Sequence, residues 1–355
     1  MLIKGVVDMR KYYLDNLKSF IILLLLPYHA AMSWNTWGEP NYIFFEGNKL
    51  LSSIVVLINP YFMPLLFLIA GITTNLALQK RTTTQYILER CKRLLLPFIL
   101  GTVFLMPAMT YLAAIFNYGY KAEGLIQHYL IFFTKFTDLT GADGGFSVGQ
   151  FWFLIYLFII SLLSISIIQV QKKIMPRLKS HIPLPGICFL GLPLPFLHEL
   201  LSISGKSLAA YTYLFLIGYY IFSDEHTVDK IKKYKWTFLF IGMSAAILNT
   251  YLFIWSDTPY PFLNGLAKWI AEWFMLLALL GIGKEYLSSN GRIARYLSRR
   301  SFTFYTWHFI WLVLFQYLMS GIFRNHILLL YLLPLILSYL ATFLCCEISI
   351  KIHLP

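Results

Sequence analysis

The sequence predicts an all-α protein, a polytopic integral membrane bundle of about 10 transmembrane helices. Of its 355 residues 58% are hydrophobic and 13% charged, whereas soluble domains carry about 25% charged residues. The mean hydropathy is +0.66. Apolar stretches long enough to cross a bilayer, about 20 residues, recur throughout the chain. This composition excludes a soluble globular domain, a disordered chain and a coiled coil.

The predicted spans cover the chain, so that residues 1–355 form a single membrane-embedded domain. They lie near 13–33, 52–77, 94–117, 149–170, 183–200, 208–223, 236–255, 262–283, 302–321 and 327–349. The first is too long for a signal peptide and contains Asp15 and Lys18, so we interpret it as a retained helix. The fifth contains four prolines. If it dips into the bilayer without crossing, every later span is inverted.

Basic residues predict the orientation of these spans. With the N-terminus inside, 23 of the 29 Lys and Arg residues fall on the inner side. The six outer ones are Lys49, Lys121, Lys135, Lys206, Lys268 and Arg324. This asymmetry follows the positive-inside rule. We therefore expect a protein of the cell membrane with both termini in the cytoplasm, and a net charge of +13 that reflects topology and not nucleic-acid binding.

One outer segment differs from a plain connector. Ala122–Phe136 has the composition of an interfacial helix, and a glycine-rich stretch follows it up to Gly149. Such a segment could act as a lid over an external opening or serve only as a connection.

The cysteines indicate neither a metal site nor a disulfide framework. The four are Cys91, Cys188, Cys345 and Cys346, with no zinc-ligand spacing. We interpret them as structural thiols in apolar helices.

Three ionisable residues share one stripe of the first helix. Lys18 and His29 are 11 residues apart, about 20° beyond three full turns, and Asp15 lies on the same face. Ionisable groups inside a membrane are costly, so each is a candidate for function. The alternative is that Asp15 and Lys18 form a helix-end pair and that His29 belongs to an outer aromatic belt.

A basic cluster begins the third span. Arg90 and Arg93 are i,i+3 neighbours, and forked guanidinium groups on one helix face are suited to binding phosphates. Basic residues at this position are equally what positive-inside anchoring requires.

Further ionisable residues lie in later spans. His308, about two turns into the ninth, could face the same interior as His29 or be a packed core histidine. Glu272 and Glu347 have possible i,i+4 partners in Lys268 and Lys351.

Read together, these motifs resemble the acyltransferase-3 family of membrane-bound O-acyltransferases, and within it the branch of glucan biosynthesis protein C. The resemblance covers nearly the whole chain. It rests on the Leu14-Asp15 pair with Lys18 and His29, on Phe62 to Gly71, on Arg90-x-x-Arg93 with Pro97, on Phe151-Trp-Phe-Leu154 and on Phe304-Tyr-Thr-Trp-His308. Two positions depart from the family pattern, which usually has Arg where Lys18 stands and often Ser where Ala70 stands.

The resemblance implies an enzyme that moves a short acyl group, acetyl or succinyl, from a cytoplasmic acyl-CoA to a glycan hydroxyl at the outer face. Arg90, Arg93 and Lys18 would bind the acyl-CoA. His29 would act as general base or become acylated, with His308 as a second catalytic candidate. Asp15 would support Lys18, and Trp152 could stack on a sugar or anchor the helix. No metal is implied.

An exporter of a glycan or lipid intermediate is the alternative from another class. Intramembrane charges can line a transport pathway, and transporters often contain proline-broken helices. Of the predicted spans, only the proline-rich fifth has this feature, and no internal repeat is evident.

Overall fold

A computed structural model describes residues 11–120, 124–174 and 182–351. In these ranges the chain is a bundle of helices, and its only strands form the short antiparallel hairpin of β1 (Ser202–Ile203) and β2 (Lys206–Ser207). Six helices are long and apolar enough to cross a membrane. The predicted class, an all-α multi-pass membrane protein, is confirmed.

The helices follow the predicted spans closely. Their bounds are α1 (Tyr12–Met32), α2 (Lys49–Leu78), α3 (Thr83–Arg90), α4 (Leu96–Leu100), α5 (Met106–Tyr118), α6 (Leu125–Thr134), α7 (Trp152–Ile174), α8 (Leu184–Phe189), α9 (Leu194–Glu199), α10 (Leu208–Tyr220), α11 (Glu225–Lys233), α12 (Lys235–Thr250), α13 (Pro261–Tyr286), α14 (Arg292–Ser320) and α15 (Ile327–Lys351). Residues 121–123, where the predicted interfacial helix begins, lie outside the described ranges.

The third span is one long helix with two wide turns. Segments Cys91–Leu95 and Gly101–Leu105 are π-helical, and they join α3, α4 and α5. Each segment ends just before an X-Pro pair, at Pro97 and Pro107. Proline has no N–H for the usual i→i−4 bond and its ring collides with that carbonyl, so the preceding turn widens to an i→i−5 bond.

The fifth predicted span is broken. Residues 183–200 form two six-residue helices, α8 and α9, separated by a turn at 190–193. Prolines stand in the first turn of each helix, where a missing N–H is tolerated, but Pro193 interrupts a continuous helix. The break falls at the prolines that distinguish this span from the others in the sequence.

Helices α2 and α10 cross with their backbones in close contact. A Cβ atom on Gly71 would overlap the carbonyl of Phe215, and one on Gly218 would overlap that of Leu68. Small residues at a crossing let two helix backbones approach this closely. The close packing stabilises the helix pair by van der Waals contacts. Successive contacts lie further along both helices, because Asn75 donates to the Tyr219 carbonyl at 3.1 Å. The two helices are therefore parallel.

Helix α7 also runs parallel to α2. Phe153 packs on Phe67 at a ring distance of 5.0 Å, and Gln169 donates to Thr83 at 3.3 Å, beyond the other end of α2. Since α7 and α10 run in the same direction, the chain between them must return along the length of the bundle. The broken segment of α8 and α9 lies in this return.

Ion pairs join the helices at one end of the bundle, which we call the charged end. Lys11 lies 2.5 Å from Glu225, Lys284 pairs with Glu225 and Asp229, and Lys232 pairs with Glu285. These contacts tie the start of α1 to α11 and to the end of α13. The opposite end, where the 33–48, 124–149 and 200–207 connections lie, is called the loop end.

Candidate active site

A proline near the end of α1 lets α15 hold the turn that carries His29. Pro27 has no N–H to donate to the carbonyl of Leu23. That carbonyl instead accepts a hydrogen bond from the Tyr339 hydroxyl at 2.6 Å, and the Pro27 carbonyl accepts one from Tyr331 at 3.4 Å. The backbone just below His29 is thus satisfied from outside α1, as an apolar environment demands.

His29 lies in an aromatic cradle. Its ring stacks on Phe309 at 4.2 Å, meets Tyr28 edge-on at 5.3 Å and lies 5.5 Å from the ring of His308. The ring is only partly buried, and neither nitrogen has a hydrogen-bond partner among the described residues. His29 is therefore oriented by ring contacts while its nitrogens are left available.

His308 is fully buried, at 0% exposed, on the face of α14 that meets α1. Its Nδ1–H donates to the carbonyl of Tyr305 at 2.8 Å, so the lone pair of the neutral ring is on Nε2. Nε2 has no partner in the described part of the chain. The structure therefore brings the two predicted histidines together, and each has a ring nitrogen without a hydrogen-bond partner among the described residues.

A polar layer lies beyond the histidines towards the loop end, about one turn after His29 on α1 and about two turns after His308 on α14. Ser33 donates to the buried amide of Gln316 at 3.1 Å and accepts from Asn41 at 3.4 Å, while Gln316 donates to the Ala30 carbonyl. Because Ser33 follows His29 on α1 as Gln316 follows His308 on α14, the two helices are parallel here. The layer fixes their register and hence the spacing of the rings.

The segment predicted to lie outside enters the bundle beside this site. Tyr305 donates to the carbonyl of Gln150, Tyr42 and Ser147 share a hydrogen bond of 3.2 Å, and the Tyr42 ring packs edge-on against Phe309 at 5.3 Å. Ser147 and Gln150 are buried. The end of the predicted lid is thus a packed wall of the site in this structure.

An ion pair shapes the preceding part of that segment. The Lys135 ammonium lies 2.9 Å from the Asp143 carboxylate and also donates to its backbone carbonyl. Burial raises the pKa of Asp143, but hydrogen bonds from Lys135, the Gly145 N–H and Thr137 outweigh it, so that the pKa falls below its usual range. Asp143 is therefore ionised at neutral pH, and its ion pair with Lys135 joins the two ends of the 135–143 loop.

The predicted phosphate-binding residues lie towards the charged end and differ in their contacts. Arg90 donates to Thr74 at 3.1 Å and its guanidinium stacks on Tyr86 at 4.6 Å, whereas Arg93 is exposed and has no described partner. A π-helical segment, Cys91–Leu95, begins directly after Arg90 and contains Arg93, so the ideal i,i+3 spacing of an α-helix does not apply between the two.

A surface groove of about 420 Å³ follows the same helix. Arg81, Gln85, Leu88, Glu89 and Lys92 line it. Arg81 and Glu89 form an ion pair of 3.0 Å within it, and Lys92 is exposed. Apart from this ion pair, the Lys92 ammonium is the one charge that lines the groove in the described structure.

Lys18 and Asp15 are both partly buried on α1, below His29. Eleven residues of helix separate Lys18 from His29, about 16 Å along the axis. Arg90 bonds to Thr74, and the neighbouring Asn75 donates to the Tyr219 carbonyl of α10. One turn after Tyr219, the carbonyl of Ser223 accepts a hydrogen bond from Lys11, which begins α1. Lys18 and Arg90 thus lie towards the same end of the bundle.

Trp152 begins α7 in a second aromatic group. Its ring meets Tyr156 edge-on at 5.4 Å and lies 5.9 Å from Tyr211, and the Lys206 ammonium stands 5.3 Å from its centre. Burial lowers the pKa of Lys206, and the charge of Glu39 opposes this. Trp152 is thus a partly buried tryptophan beside a lysine at the loop end.

Sequence reasoning missed one buried acid–base pair. Glu272, 1% exposed, accepts from His198 at 3.0 and 3.2 Å, and not from its expected neighbour Lys268. His198 is at the end of the broken segment, 74 positions away, so no local spacing could have paired them. Glu347 likewise pairs with Arg300 at 2.5 Å, although Lys351 lies one turn on.

No group of three or more metal-ligating side chains occurs among the described residues, and all four cysteines are free thiols. The site is thus organised by imidazole, phenol and amide groups on parallel helices. This arrangement defines a class: a multi-pass membrane protein with two neighbouring histidines inside its helical bundle.

The family comparison identifies that class further. The family model described as an acyltransferase domain, that of the acyltransferase-3 family, matches residues 11–348. The chain belongs to this family and is a membrane acyltransferase. No curated protein and no solved structure gives a significant match.

Proposed function

We propose that the protein transfers a short acyl group, acetyl or succinyl, from cytoplasmic acyl-CoA to a hydroxyl of a glycan at the outer face of the cell membrane. The observation that carries this proposal is the position of His29, whose free nitrogens lie beside His308 and about 16 Å along α1 from Lys18. A base at this depth can serve a donor from one side and an acceptor from the other.

The sidedness rests on ten crossings with the charged end in the cytoplasm. Six helices meet the length and hydropathy needed to cross, and α1, the broken α8–α9 segment, α10 and α14 complete the ten. The parallel directions of α2, α7 and α10 support a return crossing between α7 and α10. The 23 basic residues assigned to the inner side support the orientation.

The donor would bind at the charged end. Arg93, Arg90 and Lys18 are the cations we assign to the phosphates of CoA, with the groove beside Arg81 as room for the nucleotide. The arm of CoA would extend along α1 towards His29. Since only the arm and the acyl group enter, the charged nucleotide stays at the cytoplasmic surface.

The acceptor would enter from the loop end, where Trp152 and Lys206 lie. His29 removes the hydroxyl proton as the acceptor oxygen attacks the thioester carbon, and the C–S bond then breaks. The departing CoA thiolate then takes this proton from His29, which returns to its neutral state, so no other reactant is consumed. Acylation of the His29 ring itself is the second route that the same position allows.

Purified protein in detergent provides the test. We expect release of free CoA from acetyl-CoA or succinyl-CoA, measured chromatographically, to rise when a neutral β-glucan oligosaccharide is added, with an acylated sugar as product. No acyl transfer and no thioester cleavage with either donor would contradict the proposal. The broken fifth segment with its buried Glu272–His198 pair is the feature that favours an exporter, and an exporter should cleave neither donor.

A further inference from the structure

Gln150 has a buried side chain with nothing to bond. It is 4% exposed, and neither its amide nitrogen nor its amide oxygen has a hydrogen-bond partner within the described ranges. An unpaired buried amide costs free energy, more so where no water is at hand. Gln316, the other buried glutamine near the histidines, has both of its amide atoms bonded.

The position of Gln150 is fixed by neighbours that also touch the histidines. Its carbonyl accepts from the hydroxyl of Tyr305, whose ring lies 6.0 Å from that of His308. On its other side, a Cβ on Gly149 would stand 2.8 Å from the Tyr42 hydroxyl, and Tyr42 packs against Phe309. Gln150 is therefore held between two tyrosines that border the ring cluster of His29.

The backbone of this segment does not need the amide. Gln150 is anchored through its carbonyl, and the following Phe151 packs against the bare backbone of Gly101. The side chain is thus enclosed by its surroundings without a hydrogen bond to them. An enclosed donor that is unsatisfied in the resting protein is suited to a reaction that develops negative charge.

We propose that the Gln150 amide is a catalytic hydrogen-bond donor for the acyl-CoA thioester. The inference rests on the proposed acyl transfer. As the acceptor oxygen attacks, the carbonyl π electrons move to oxygen, and an N–H of Gln150 stabilises that oxyanion. When the C–S bond breaks, the carbonyl re-forms and the hydrogen bond weakens. No proton passes to or from Gln150.

The test replaces the amide with an apolar side chain of similar length. In Gln150→Met the unpaired polar group is removed, so we expect the thermal midpoint to stay the same or rise, while kcat falls by about 10²–10³-fold, as for other oxyanion donors. Gln316→Met is the matched control, because it breaks two hydrogen bonds and should lower the midpoint by roughly a few degrees.

A spectroscopic measurement separates catalysis from structure. With acyl-CoA labelled by ¹³C at the thioester carbonyl, infrared difference spectra of the parent should show a bound carbonyl band shifted to lower frequency, and the shift should be lost in Gln150→Met. Parent-like kcat and an unchanged band in Gln150→Met would overturn the role of Gln150. A parent protein that turns over no acyl-CoA would instead overturn the proposed function.

Discussion

The imidazole rings of His29 and His308 lie 5.5 Å apart, although 279 positions separate them in the sequence. They come from parallel helices whose register is set further towards the loop end by the hydrogen bond between Ser33 and Gln316. His308 directs its Nδ1–H to its own helix and leaves Nε2 unpaired in the described structure. The fully buried ring of His308 thus lies next to the partly buried ring of His29.

His308 should support the chemistry without binding the donor. We expect His308→Phe, which removes an unpaired polar nitrogen, to fold normally and to lose about 10²-fold in kcat, the lower end for an acid–base group. The donor KM should stay within twofold. Steady-state kinetics on the purified variant measures both. An unchanged kcat would make His308 a packing residue.

The arginines should differ in what they do for stability. Arg93→Ala, at an exposed position, should leave the thermal midpoint unchanged but raise the donor KM about 10- to 100-fold, since a hydrogen bond to a charged group contributes about 1.5–3 kcal/mol. Arg90→Ala should do the same and also lower the midpoint, because the bond to Thr74 is lost. Arg299→Ala, another exposed arginine, is the control. Equal donor affinity in Arg93→Ala and this control would refute phosphate binding.

The Lys135–Asp143 loop should loosen in acid. Because the folded pKa of Asp143 lies below its ordinary value, its stabilisation is present above about pH 4 and is lost as the pH falls through the folded pKa. The effect should be about 0.5–1 kcal/mol, since Lys135 is 40% exposed. Hydrogen exchange at the Gly145 amide should be faster in Asp143→Asn than in the parent at pH 7, and the difference should shrink as the pH falls through the folded pKa of Asp143. A difference that stays constant as the pH falls would exclude this cause.

Topology can be read by cysteine labelling in intact cells. Glu46 and Asn325 are exposed at the loop end and Asn290 at the charged end, whereas Ser147 is too buried to report on either side. In a background without the four native cysteines, an impermeant maleimide should label Glu46→Cys and Asn325→Cys at once and Asn290→Cys only after permeabilisation. The reverse pattern would invert the bundle and reject cytoplasmic acyl-CoA as donor.

The sequence predicted where the helices lie because hydropathy and length alone decide which segments enter a bilayer. It placed His29 and His308 in candidate positions because an ionisable group in an apolar helix is conspicuous. It could not predict partners. The π-helical segment after Arg90 follows from the geometry of the following proline, the Glu272–His198 pair from a tertiary contact, and the unpaired amide of Gln150 from a loop that packs inward. None of these features produces a repeating pattern of residues in the sequence.

The most direct test of the account is acyl transfer by His29→Gln, which keeps hydrogen-bonding capacity but is not a base. The variant should insert and keep its thermal midpoint, bind acyl-CoA with parental affinity through the untouched arginines, and lose about 10²–10⁴ in kcat. Donor binding and turnover are measured on the same purified sample. Turnover within a few-fold of the parent, with binding intact, would contradict the claim that His29 is the catalytic base.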